Sequence, residues 1–99
     1  MVHAIVLVQC EIDEIPEAAQ AIADIPGVSE VYSVAGEVDL VAVIRVKDHD
    51  ELARVIPQSV SKVQGVVRTE TLIAFQVYSR HDLDRLFSIG FEASEEAGL

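Results

Sequence analysis

The sequence predicts an α+β protein of the ferredoxin-like class, with a four-stranded antiparallel sheet and two helices on one face. Three observations predict it. The 99 residues suffice for one small domain. Hydrophobic residues make up 51% of the chain, which excludes intrinsic disorder. The apolar periodicity changes between strand and helix spacing in the order β-α-β-β-α-β.

The start of the chain predicts a strand followed by a helix. Residues 2–9 are apolar in both alternating sets apart from two polar side chains, which is typical of a strand buried on both faces. A helical pattern follows, for which Asp13 is a suitable N-cap and Pro16 a suitable first-turn residue. Residues 26–27, Pro-Gly, end this helix.

The middle of the chain predicts a hairpin and a second helix. Residues 28–35 and 38–46 are β-like and are joined by a short link that contains glycine. The second helical pattern begins where Asp48 and Glu51 have the spacing of a capping box. Pro57 lies inside this pattern and is expected to kink or split the helix.

The end of the chain predicts a long last strand over residues 66–78 and then a short helix. We therefore divide the chain into a folded domain, residues 1–79, and a C-terminal helical extension with an acidic tail, residues 80–99. Two alternatives are open for the extension: it contacts a neighbouring subunit, or it covers the edge of its own sheet. Its apolar residues at helical spacing are Leu83, Leu86 and Phe87.

The predicted topology leaves one face of the sheet uncovered. Right-handed crossovers place both helices on the same face. Yet residues 38–46 are apolar on both alternating sets, so the other face presents a large apolar patch. Monomers rarely tolerate such a patch. We therefore expect an obligate oligomer, in which a second sheet or another chain covers this face.

Composition and charge exclude several classes of partner. Seven Lys and Arg against seventeen Asp and Glu give a formal net charge of −10, which opposes binding to nucleic acid and to anionic membranes. The apolar runs are too short for a transmembrane helix, and no secretory signal is visible. The one cysteine, Cys10, excludes an internal disulfide and fits a reducing compartment. We expect a cytoplasmic protein without a direct nucleic acid or membrane partner.

Signatures of catalysis and metal binding are absent from the sequence. It contains no nucleophile elbow, no glycine-rich phosphate loop and no CxxC or HExxH spacing. Its three histidines are far apart and lack the spacing of metal ligands. We expect no catalytic residue, no metal site and no cofactor.

Two segments carry polar groups suited to a ligand. Gly36 lies in the predicted hairpin link, where glycine exposes backbone groups, and Asp39 nearby can pair with an ammonium group. Thr69 and Thr71 share one face of the last strand, where their hydroxyls can bind a polar ligand or a carboxylate. Ordinary turn chemistry and the strand propensity of threonine explain the same residues without a ligand.

The segments IPGV, VYSVAGEVDLVAVIRV and VQGVVRTETLIAF closely resemble the effector-binding domain, or RAM domain, of the leucine-responsive/AsnC family of regulators. The resemblance covers about residues 2–78. It implies a ferredoxin-like fold, homodimers made by facing sheets, rings of dimers, and small effectors, usually amino acids, bound between dimers. The implied effector-binding residues are Val34, Gly36, Glu37, Val38, Asp39, Thr69, Glu70 and Thr71.

The resemblance also implies roles for these residues. Asp39 would meet the ammonium group of the effector, and the backbone of the Gly36 loop with a threonine hydroxyl would meet its carboxylate. Some contacts from the last strand would come from a neighbouring dimer.

The sequence departs from full-length regulators of that family, which carry an N-terminal helix-turn-helix domain, because its first strand already starts at Val2. We expect a stand-alone effector module that acts through its own assembly or by co-assembly with full-length relatives. One alternative is a small dimeric α+β barrel enzyme of the monooxygenase-like type, against which the lack of Asn and Trp argues. The other is a purely structural oligomer.

Overall fold

The computed structural model describes residues 1–80, and these residues form a four-stranded antiparallel sheet with two α-helices, as predicted. The elements are β1 (Val2–Cys10), α1 (Ile15–Ala23), β2 (Val28–Ser33), β3 (Leu40–Val46), α2 (His49–Gln58) and β4 (Val66–Ile73). Short 3-10 turns cover Ile12–Glu14 and Val60–Lys62. The helix predicted after residue 80, with its Leu83, Leu86 and Phe87, lies outside the described residues.

The sheet has the strand order β2-β3-β1-β4, so β1 and β3 are the central strands. Val6 of β1 lies opposite Ala42 of β3 on one side and Thr71 of β4 on the other. Directly opposed residues of antiparallel strands share a face, so this register sorts every strand residue into one of two faces. A register shift at residues 9–10 ends the regular pairing of β1 with β4.

The hydrophobic core lies between one face of the sheet and the two helices. Alternate residues of β1 and β3 point into it, together with one stripe of each helix. The buried residues are Ala4, Val6, Val8, Ala18, Ile22, Leu40, Ala42, Ile44, Val46, Leu52, Val55 and Val60.

The opposite face of the sheet, here called the open face, is apolar at its centre and has no cover within residues 1–80. Its side chains include Ile5, Leu72 and Tyr32, which are 38%, 47% and 50% exposed. Val43 lies between them, opposite Ile5 on β1 and Glu30 on β2. The apolar face that the topology predicts is therefore present in the single chain.

Four strand boundaries differ from the prediction. β1 ends one residue later than predicted, at Cys10. β2 ends at Ser33 and β3 begins at Leu40, because residues 34–39 form a loop rather than continuing the ladder. β4 ends at Ile73, opposite Ala4, close to the start of β1. Past Ile73, a further backbone hydrogen bond from Ala74 N to His3 O at 2.9 Å joins the chain to β1.

The start of α1 was predicted wrongly. Asp13 is not its N-cap, because it lies within the 3-10 turn that precedes the helix. The N-cap is Glu14, whose side chain makes no capping hydrogen bond. Pro16 does lie in the first turn, where its missing N–H costs no hydrogen bond. Propensity therefore located the helix but not the residue at which it begins.

The start of α2 is fixed by reciprocal side-chain hydrogen bonds. Asp48 Oδ1 accepts from the backbone N of Glu51 at 2.9 Å, and Glu51 Oε1 accepts from the backbone N of Lys47 at 3.0 Å. At the other end, Pro57 lies one residue before the helix ends at Gln58, and a 3-10 turn follows. The helical pattern is thus split after the proline, as predicted.

We expect Asp48→Ala to lower the free energy of unfolding by about 1 kcal/mol, because it removes the acceptor for an N–H of the first turn. Urea unfolding measures the change. Asp50→Ala is the matched control, since Asp50 also lies in the first turn but is not the N-cap residue. A loss as large for Asp50→Ala as for Asp48→Ala would show that helix-dipole charge, rather than the cap, stabilises this end.

No helix within residues 1–80 has the length and apolar character required to cross a membrane.

Candidate functional site

The loop between β2 and β3, residues 34–39, is held by Asp39. The backbone N of Asp39 donates to Val8 O at 2.9 Å, and its carbonyl accepts from the backbone N of Val34 at 3.0 Å. Its carboxylate accepts from the backbone N of Cys10 at 2.8 Å. The aspartate thereby fastens the loop to the carboxyl end of the central strand β1.

Gly36 lies at the outer part of this loop with a φ of +149°. A side chain there is strained by this φ, although a Cβ would meet no atom within 4 Å. The glycine therefore serves the backbone conformation rather than a tight packing contact. It also leaves the backbone of the loop open to a molecule approaching from solvent.

A cavity of about 270 Å³, here called the loop cavity, lies beside this loop. Three segments form it: the end of β1, the β2–β3 loop and the first half of β4. The residues that line it are Leu7, Gln9, Val34, Ala35, Gly36, Glu37, Val38, Arg68, Thr69 and Glu70. The sheet register explains this meeting, because Leu7 lies opposite Glu70 and Gln9 opposite Arg68.

The structure brings together most of the residues that the family resemblance implied. The lining of the loop cavity includes Val34, Gly36, Glu37, Val38, Thr69 and Glu70. Asp39 does not line the cavity, and its carboxylate is engaged with Cys10. A contact between Asp39 and an effector stays a prediction, whereas its hold on the loop is a structural observation.

Thr71 lies at a different place from the other implied residues. It is opposite Val6, on the helix-covered face of β4, and it lines a second cavity under α2. Thr69 is on the same face, where its hydroxyl lies 3.4 Å from that of Ser61. The alternation that placed both threonines on one face is correct, but the two do not share a cavity in the single chain.

Several lining residues were not among the predicted site residues. These are Leu7, Gln9, Ala35 and Arg68. Ala35 and Arg68 are sequence neighbours of predicted residues, so widening each segment would have included them. Leu7 and Gln9 needed the register of β1 against β4, which the sequence pattern does not supply.

The polar groups of the loop cavity carry both signs of charge. Arg68 supplies a guanidinium, and Glu37 and Glu70 supply carboxylates. Leu7 and Val38 add apolar surface. A guanidinium binds a carboxylate, and a carboxylate binds an ammonium group, through charge-assisted hydrogen bonds. The cavity is therefore suited to a small zwitterion with an apolar portion.

Cys10 is unsuited to a role as a nucleophile. Burial raises the pKa of its thiol, and the negative charges of Asp39 and Glu14 raise it further. The reactive thiolate is accordingly scarce at neutral pH. Its backbone N–H, by contrast, holds Asp39.

Within the described residues, no group of three His, Cys, Asp or Glu side chains is placed to hold a metal ion.

The fold and the loop cavity together define a small ligand-binding domain built on a ferredoxin-like sheet. The family model of the Lrp/AsnC ligand binding domain matches residues 3–83, and the chain therefore belongs to this family. An uncharacterised HTH-type transcriptional regulator of Pyrococcus horikoshii, PH1916, is 41% identical over 59 residues. That match covers 60% of this chain and 39% of the regulator.

Solved structures show the same fold. TTHA0845 from Thermus thermophilus is 46% identical with a TM-score of 0.76, and the match covers 81% of this chain and 100% of that one. The complex of the transcriptional regulator NMB0573 from Neisseria meningitidis with L-Met is 15% identical with a TM-score of 0.71. That match covers 80% of this chain and 53% of the regulator, and it shows a common fold.

Proposed function

We propose that this chain is a non-enzymatic effector-binding module and that its effector is an amino acid held in the loop cavity. The observation that carries the proposal is the cavity itself, which joins a glycine loop, both signs of charge and apolar surface. Membership of the Lrp/AsnC ligand-binding family supports it. The L-Met complex of NMB0573, which shares the fold, supports an amino acid as the class of ligand.

The lining groups suggest how each part of an amino acid is bound. The ammonium group faces the carboxylates of Glu37 and Glu70, while Arg68 and the backbone of the Gly36 loop face the carboxylate. Asp39 holds the loop in place, and its direct contact with the ammonium group belongs to the proposal. Thr71 lines a different cavity of its own chain, so its contact with the effector stays a prediction from the family resemblance.

The proposal includes an assembly. Two copies cover each other's open face as a dimer, and dimers associate into a ring that places the loop cavity at a subunit contact. A ligand bound at such a contact stabilises the assembly that forms the site. The chain acts by this shift alone or by co-assembly with full-length regulators. The match to TTHA0845 covers 100% of that chain, which supports an effector-binding domain as a structural unit by itself.

Calorimetric titration of the 99-residue chain with each common amino acid tests the proposal. We expect saturable binding of at least one amino acid. Arg68→Ala should weaken that binding about tenfold or more, because it removes a charged hydrogen-bond donor. Arg54→Ala is the matched control: Arg54 is an exposed arginine on α2, away from the loop cavity, and its loss should leave the affinity unchanged.

Failure of every amino acid to bind at millimolar concentration would contradict the proposal. Equal weakening by Arg68→Ala and Arg54→Ala would contradict the placement of the effector in the loop cavity, since both variants remove one positive charge.

A further inference from the structure

The chain continues past β4 as a short arm, residues 74–78, that exposes large apolar side chains. Phe75 is 98% exposed and Tyr78 is 83% exposed. The arm extends beyond the sheet: the backbone N of Ala74 donates to His3 O at 2.9 Å, close to the first residue of β1. Large exposed apolar side chains that are clustered in one segment are typical of a surface that another chain covers.

A second cavity of about 270 Å³, here called the helix cavity, lies between α2 and β4. Its lining is almost entirely apolar, and it lies beside the outer edge of the sheet, because β4 is an edge strand. The residues that line it are His49, Leu52, Ala53, Ile56, Pro57, Thr71 and Ile73. It is separate from the loop cavity, with which it shares no residue.

We propose that the arm of one copy inserts into the helix cavity of a second copy, with Phe75 as its anchor. The chain's own arm does not enter its own cavity, because Ile73 already forms the wall and Phe75, two residues later, is almost fully exposed. A second copy supplies the same arm without this restriction. The proposal does not depend on an effector.

Charge complementarity supports the arm of a second copy as the occupant of the helix cavity and indicates the direction in which the arm lies along α2. The helix cavity begins at His49, at the N-terminus of α2, where Asp48, Asp50 and Glu51 concentrate negative charge. The arm is followed by Arg80, an exposed cation in a chain with only seven Lys and Arg. Placing Arg80 at this acidic end puts the arm antiparallel to α2, with Phe75 near Pro57.

The dimensions agree with this direction. An extended chain covers about 17 Å between residues 75 and 80, at roughly 3.3 Å per residue. The helix rises about 12 Å between residues 49 and 57, at about 1.5 Å per residue. The segment from Phe75 to Arg80 is therefore long enough to lie along the whole cavity.

Crosslinking between copies tests the insertion. Cys10→Ala removes the native thiol, and Gln76→Cys and Ala53→Cys are then introduced into separate preparations of the full chain, since both residues are exposed. We expect a short bismaleimide to join the two chains after mixing. Glu17→Cys on α1 replaces Ala53→Cys in the control and should give little product, because Glu17 is exposed on the other helix.

Phe75→Ala provides the second readout, because an almost fully exposed side chain contributes little to the folding of its own chain. We expect it to abolish most of the crosslink and to weaken assembly about tenfold in sedimentation, as for a truncated anchor residue. Three results would overturn the proposal: equal product with Glu17→Cys and Ala53→Cys, product unaffected by Phe75→Ala, or a double variant Gln76→Cys/Ala53→Cys that crosslinks only within one chain.

Discussion

Asp39→Ala is expected to abolish measurable effector binding and to lower the free energy of unfolding by about 1.5–3 kcal/mol, the range for a hydrogen bond to a charged group. The carboxylate is the acceptor for the backbone N of Cys10, and its loss leaves that N–H without its partner. The β2–β3 loop then loses its side-chain hydrogen bond to β1 and keeps only the backbone hydrogen bond from Asp39 N to Val8 O. Calorimetry measures the affinity and urea unfolding measures the stability.

Two further variants separate positioning from direct contact. Asp39→Asn keeps an oxygen that can accept from Cys10 but removes the charge. Retained stability with lost binding would indicate that the carboxylate contacts the ligand, whereas retention of both would assign Asp39 to positioning alone. Asp13→Ala, which removes an exposed aspartate from the 3-10 turn, is the control and should change neither quantity. Full affinity in Asp39→Ala would refute both roles.

Val43→Asp is expected to dissociate the assembly. Val43 lies near the middle of the open face, opposite Ile5 on one side and Glu30 on the other. If a second sheet covers this face, the new carboxylate is buried without a partner, at a cost of about 3–5 kcal/mol. That cost raises the dissociation constant by roughly 100-fold or more. Sedimentation equilibrium over a range of protein concentrations measures the change.

Ile12→Asp is the matched control, since Ile12 is an apolar residue that is 86% exposed on the 3-10 turn. It introduces the same charge away from the open face and should leave the assembly intact. An assembly that tolerates Val43→Asp as well as Ile12→Asp would show that the open face is not the contact between copies.

The fold was predictable from the sequence because each element has a clear period. Residues 40–46 alternate between core and open face. In α2, the apolar stripe and the N-terminal cap can both be recognised in the sequence. Boundaries were less accurate, because a strand ends where its regular pairing ends rather than where its residue preferences end. β4 stops at Ile73, opposite Ala4, although residues 74–78 are still β-like in composition.

The sequence predicts which segments contribute to the candidate site, but not how the fold brings these segments together. Gly36 and Asp39 stand out by residue type, and the structure gives each a distinct conformational or hydrogen-bonding role. Arg68 and Gln9 lie close together because they are opposite each other in the register of β1 and β4. A shift of this register by one residue would place their side chains on opposite faces of the sheet. The side-chain alternation of β4 predicts that Thr69 and Thr71 share a face. The packing of α2 determines which face of β4 is covered.

The loop cavity is composed of residues from β1, the β2–β3 loop and β4, which meet only when β1 has paired with β3 and β4. No partly folded chain that lacks one of these strands can offer the site. A bound molecule therefore stabilises the domain as a unit and raises its unfolding free energy by RT ln(1 + [L]/Kd). If the effector binds in the loop cavity as proposed, its concentration determines how well the domain is protected from proteolysis, because the occupied chain opens less often to a protease.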